Sequence, residues 1–176
     1  MGFRSWVIVL AMMLWGIEQV RADENEDRAI AVIKKLLGEI QRDETKPGKP
    51  VMAVDLSRTK VTDSDLKHLA PLRELTILNL AETQVMDAGL KEIIAFNRLS
   101  TIDLTNTEVT DASLKELAQL KGLTTLYLSQ TRVTDEGLKE LTPLTELKYL
   151  DLDGTEVTDA GVAKLQKALP ICKIER

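Results

Sequence analysis

The chain has 176 residues, 23 Lys plus Arg against 28 Asp plus Glu, and a formal net charge of −5. That length suits one domain, and the acidic balance argues against a nucleic-acid binder, whose affinity rests on basic groups neutralising phosphates. Aromatics make up 3% and Cys172 is the single cysteine, so the core must be aliphatic and no internal disulfide or multi-cysteine zinc site is available.

In chain order, the first element is a secretory signal peptide over residues 1–22. Arg4 precedes an apolar run from Trp6 to Trp15, and Val20-Arg21-Ala22 offers small or modest side chains where a peptidase would cut. The apolar run is shorter than the roughly 20 residues needed to span a bilayer. An uncleaved anchor is the alternative reading. Residues 23–50 follow as a capping helix and turn. Ala29, Ile30, Ile33, Leu36, Leu37 and Ile40 recur at helical spacing and predict one amphipathic helix over 25–42. Asp23, Glu24, Glu26 and Asp27 suit its N-terminal dipole. Lys46-Pro47-Gly48-Lys49-Pro50 then breaks the pattern.

From Val51 to Pro170 the chain repeats itself. Leu56, Leu80, Leu104, Leu128 and Leu152 are 24 residues apart, and so are Thr59, Thr83, Thr107, Thr131 and Thr155. Three more columns keep that register: the valines from Val61 to Val157, the aspartates from Asp63 to Asp159, and Leu66 to Val162. A column from Leu69 to Leu165 keeps it too. Each unit divides in two. Around Leu78 and Leu80 the alternation has period 2, which predicts a short strand. Thr-Asp, or Met86-Asp87 in the second unit, then predicts a capped helix start. Leucines at spacing three follow, and Pro71 and Pro143 end two of these helices. One unit cannot bury its own leucines, so units must stack, with a parallel sheet on one side and short helices on the other. Ile171 and Ile174 fall in register with Leu147 and Leu150. They predict a truncated C-terminal cap strand within 171–176 that closes the core.

These motifs resemble the leucine-rich-repeat family. Thr134-Asp135-Glu136-Gly137-Leu138 is similar to the F-box-type, cysteine-containing-like subtype, which also occurs in short secreted bacterial repeat proteins. Pro47-Gly48-Lys49-Pro50-Val51 and Leu169-Pro170-Ile171-Cys172 look like the ends of the bacterial group. The resemblance covers about 24 to 176. It implies an α/β fold: a right-handed β-α solenoid of five 24-residue repeats, with the parallel sheet on the concave face and the helices on the convex one. The chain departs from the commonest family motif in carrying Thr rather than Asn at the end of each strand.

Strand alternation then assigns the outward positions. Asp55, Asn79, Asp103, Tyr127, Tyr149, Asp151 and Asp153 are the candidate binding residues of the concave face, with Ala53, Ser57, Ile77, Ala81, Thr101, Thr105, Thr125 and Ser129 beside them. None of these is basic. Tyr127 and Tyr149 are the only tyrosines, and tyrosine gives large contact area at small entropic cost. A binding patch is expected around Asp103, Tyr127, Tyr149, Asp151 and Asp153; ordinary sheet-surface residues are the plainer reading.

Other chemistry is thinly represented. Asp103 and Asp151 lie two strands apart, about 10 Å, which is wide for a shared metal. His68 shares a polar column with Glu92, Glu116, Glu140 and Lys164. Cys172 has no base suggested near it. Lys67, Lys91, Lys115 and Lys139 are offset by neighbouring glutamates. The expectation is a non-enzymatic, monomeric protein-binding module without cofactor or metal, secreted or periplasmic. It would recognise a protein or extracytoplasmic polymer of neutral or basic character, with no nucleic acid and no membrane insertion once the leader is removed. Three alternatives remain. An F-box-like substrate adaptor of a ubiquitin ligase would need its F-box within 24–50. A hydrolase on the same scaffold would need a nucleophile–base pair. A structural envelope protein would need neither.

Overall fold

The computed structural model describes residues 24–176; the leader expected over 1–22 lies outside the described residues. Residues 24–35 form helix α1, which buries Ala29, Ile30 and Ile33 against the first repeat unit. The expected helix over 25–42 is corrected: it stops at residue 35, and Glu39–Arg42 forms a strand, β1. Leu37 takes a left-handed backbone, φ 64°. Its N–H bonds Lys34 O at 3.0 Å and the Gly38 N–H bonds Ile33 O at 2.9 Å, the paired bonds that close a helix C-terminus. Gly38 then passes close beneath the next strand. A Cβ there would lie 2.6 Å from Leu56 Cδ2 and 2.8 Å from Asp55 O, so only glycine fits. Leu37 is left 87% exposed.

Seven strands form one sheet in chain order. β1 pairs antiparallel with β2 (Val51–Asp55). β2, β3 (Ile77–Asn79), β4 (Thr101–Asp103), β5 (Thr125–Tyr127), β6 (Tyr149–Asp151) and β7 (Lys173–Glu175) run parallel, and every pairing from β2 onward joins residues 24 apart. Leu78, Ile102, Leu126 and Leu150 therefore stack over one another inside, as do Leu56, Leu80, Leu104, Leu128 and Leu152, all buried. Fully burying a leucine contributes about 1.5–3 kcal/mol, and here it does so only because a neighbouring unit covers it.

The polar columns tie the stack together. Thr59, Thr83, Thr107, Thr131 and Thr155 each donate their hydroxyl to the carbonyl three residues earlier, at 2.6–2.7 Å. The threonine thus clamps its own turn rather than bonding the next unit. The residue before it (Arg58, Glu82, Asn106, Gln130 or Gly154) has positive φ. The aspartates do link units. Asp87, Asp111 and Asp135 each accept both the N–H and the hydroxyl of the threonine that caps the next helix: Thr110, Thr134 and Thr158. Asp63 accepts only the N–H of Met86, which has no hydroxyl.

Proline limits two of the helices. α2 (Asp63–Leu66) and α5 (Asp135–Leu138) each pass into a 3₁₀ turn ending two residues before Pro71 or Pro143. Without proline, α3 (Asp87–Ile93) and α4 (Asp111–Leu117) run seven residues as α-helix, and α6 (Asp159–Ala168) runs ten. The longer α6 corrects the expected end cap. Leu169 and Cys172 take the buried places, whereas Ile171 is 64% exposed. The continuous α-helix advances four residues from Leu165 to Leu169, whereas the corresponding pair of the preceding unit, Leu141 and Leu144, is three apart. The chain drops a residue before β7 and Ile174 regains register opposite Leu150.

Candidate binding face

The strands project alternate residues onto the open face of the sheet, in rows fixed by the register. One row reads Glu39, Asp55, Asn79, Asp103, Tyr127, Asp151, Glu175, with neighbours about 4.8 Å apart. The row beside it ends Thr125, Tyr149, Lys173. All seven candidate residues lie on this face and none is buried. Asp103, Tyr127 and Asp151 occupy adjacent strands, Tyr149 packs on Tyr127, and Asp153 follows Asp151. Asp55 and Asn79 stand at the other end of the row and do not join the tyrosines.

The Tyr127 and Tyr149 rings have centroids 5.4 Å apart and planes tilted by 56°, within the range favoured for aromatic pairs. Both are half-buried. The Tyr149 hydroxyl donates to the Glu175 carboxylate. Lys173 Nζ lies 5.7 Å from the Tyr149 ring centroid and 2.5 Å from Glu175 Oε1. That hydrogen bond to Glu175 pushes the Tyr149 phenol up to about 12, aided by desolvation and by the nearby negative charges, so the hydroxyl stays a donor. Glu175 is held below the usual carboxylate range, first by Lys173 and then by Tyr149.

Sequence reasoning missed Lys173 and Glu175, and with Lys173 the face does contain a basic group. The signal was present: each lies 24 residues beyond Tyr149 or Asp151. Glu39 and Gln41 were missed because β1 reads as helix. The carboxylates are also partly engaged in structure. Oδ1 of Asp55, Asn79, Asp103 and Asp151 accepts the N–H two residues on, at 2.8–3.1 Å. The second oxygen of each aspartate takes no part in that turn.

Elsewhere, His68 is exposed on the 3₁₀ turn after α2. Cys172 is buried, and burial pushes its thiol up to about 11, which suppresses the nucleophilic thiolate. Among the described residues no group of three His, Cys, Asp or Glu could hold a metal ion, and no helix is long and apolar enough to cross a membrane.

Comparison with known proteins agrees with this architecture. A family model described as leucine-rich repeat matches residues 122–141 and 144–165. An internalin (inlF) of Listeria monocytogenes superposes with TM-score 0.60 at 23% identity, over 70% of this chain and 34% of that one. A leucine-rich-repeat protein of Leptospira interrogans gives TM-score 0.51 at 25% identity, over 62% of this chain and 27% of that one. The leucine-rich-repeat ectodomain of the receptor kinase SOBIR1 of Arabidopsis thaliana gives 0.48 at 15%, over 86% and 91%. The chain spans about a third and about a quarter of the two bacterial proteins. No curated protein matches it. The chain has the leucine-rich-repeat fold, and its residues 122–141 and 144–165 match the family's repeat. Proteins of this kind are generally non-catalytic binding modules.

Proposed function

We propose that the chain is a non-catalytic recognition module, secreted across the membrane by residues 1–22, that holds a protein partner on the concave, open face of its sheet. The tyrosine pair carries this reading: two half-buried aromatic rings packed 5.4 Å apart on a surface built mostly of small and acidic side chains, with Ile77 and Lys173 as departures. Aromatic anchors of this type give contact area while losing few rotamers on binding, and centrally placed ones dominate interface energies. The aspartates on either side favour neutral or basic partners.

The test is capture from the organism's envelope fraction with a bait beginning at Asp23. The unchanged bait is expected to retain a partner, and Tyr127→Ala combined with Tyr149→Ala to lower that capture at least tenfold while the melting temperature moves little. Undiminished capture by the double variant contradicts the assignment. For export, protein recovered outside the cell should read from near Asp23 on N-terminal sequencing; a start at Met1 contradicts leader removal.

A further inference from the structure

In four strands the acidic or amide residue of the long row accepts the amide two residues on: Asp55 from Ser57, Asn79 from Ala81, Asp103 from Thr105, and Asp151 from Asp153. In β5 that place belongs to Tyr127, whose ring offers the Ser129 amide no such acceptor. The Ser129 hydroxyl is also without a hydrogen-bond partner among the described residues, on a residue only 8% exposed. Ser129 shares the open face with Tyr127, since Leu128 between them points into the core. Asp103 and Asp151 flank Tyr127 on the two adjacent strands, and Asp153 lies 24 residues on from Ser129, its carbonyl accepting the N–H of Gln130.

We propose that Ser129 and these three aspartates form a subsite for an extended polypeptide segment carrying lysine or arginine side chains, one of whose backbone carbonyls accepts from Ser129. The inference rests on the open face being the binding face. The unpartnered Ser129 hydroxyl calls for an oxygen acceptor, because a buried hydroxyl without a partner is unfavourable. The hydroxyl hydrogen rotates to suit its acceptor, so it can be turned toward an oxygen seated against Ser129. The aspartates exclude an anionic acceptor by repulsion and favour a cation beside it. A neutral carbonyl next to a cationic side chain, with an apolar stem to lie on Tyr127 and Tyr149, describes a basic peptide. Asp103 and Asp151 are two strands apart, about 10 Å. A polyproline-type segment rises about 3.1 Å per residue, so cations three residues apart reach both.

The probe is the acetylated, amidated peptide Lys-Pro-Pro-Lys-Pro-Pro-Lys, titrated against the chain from Asp23 while backbone amide resonances are followed. Shifts are expected to centre on Thr105, Ser129 and Asp153. Ser129→Ala should weaken binding about fivefold, the share of one neutral hydrogen bond, with the melting temperature unchanged or higher. Spermidine, a cation without a carbonyl, should bind more weakly and be indifferent to Ser129→Ala. Shifts centred elsewhere, no binding of the peptide, equal binding by the Ser129 variant, or spermidine binding as tightly each overturns the subsite. If capture of the envelope partner depends on the tyrosines while Ser129→Ala changes nothing, the subsite falls and the binding face stands. Capture indifferent to the tyrosines removes the face itself.

Discussion

Asp135 shows what a single column contributes. Its two oxygens accept the Thr158 N–H at 2.8 Å and the Thr158 hydroxyl at 2.6 Å, joining α5 to the cap of α6. Those hydrogen bonds, hydroxyl first and amide second, hold its carboxyl below the ordinary aspartate value, with help from Lys164 and Arg176. A folded pKa below the unfolded one means the contribution is complete above the unfolded value and fades as pH falls toward the folded one. Stability should therefore decline from about pH 5 downward, and Asp135→Asn should flatten that acid limb while lowering the neutral-pH plateau. Urea midpoints against pH for the two proteins check this; parallel curves would contradict it. The column itself was legible in the sequence, but its work was not. Spacing identifies which residues stack, yet cannot show that Asp135 bonds the unit after it while Thr131 bonds the carbonyl of Leu128 within its own unit. Both are choices of side-chain geometry made inside the stack. The same holds for Asp103 and Asp151, which read as free surface charges and turn out to brace their own turns.

Elements pack as closely as these bonds require. Gly137, in α5, approaches α4 so closely that a Cβ would stand 3.0 Å from the Asp111 Cα and nearer still to its carboxylate. Gly137→Ala should cost about 1–3 kcal/mol, as overpacking does, because the Asp111 carboxylate that would have to move is held by the Thr134 N–H and hydroxyl. Chemical denaturation measures it, and an unchanged midpoint would show that the two helices can separate freely. Ser113 holds the corresponding place in α4 and is fully buried, so that pair of helices is already spaced for a side chain. Strands and helix starts were legible because period-2 leucines and Thr-Asp caps are local signals. Helix ends were less so. β1 exists through its pairing with β2, a non-local partner that no periodicity within 25–42 could reveal. Leu36 and Ile40 fit a helix as well as they fit what forms. The extra turn of α6 is not a matter of proline alone, since α3 and α4 also lack one and run seven residues against ten. That turn explains why Cys172 rather than Ile171 is buried.

At the scale of the whole molecule, stability is a sum over stacked neighbours, each unit covering the leucines of the next, with α1 closing one end and Leu169, Cys172 and Ile174 lying at the other. The repetition that builds the core also builds the surface: any departure within an outward column appears as a local difference on a regular sheet. Tyr127 among aspartates, and Tyr149 beside it, are such departures, and the register alone was enough to place them together. Their meaning for function is carried by contact, so the most direct measurement is hydroxyl-radical footprinting of the chain with and without the captured envelope partner. Oxidation of Tyr127 and Tyr149 should fall several-fold in the complex, while Met86 and Ile94, exposed on the helical side, react as before. Tyrosines oxidised at unchanged rates, with protection moving to Met86 or Ile94, would contradict recognition through the open face.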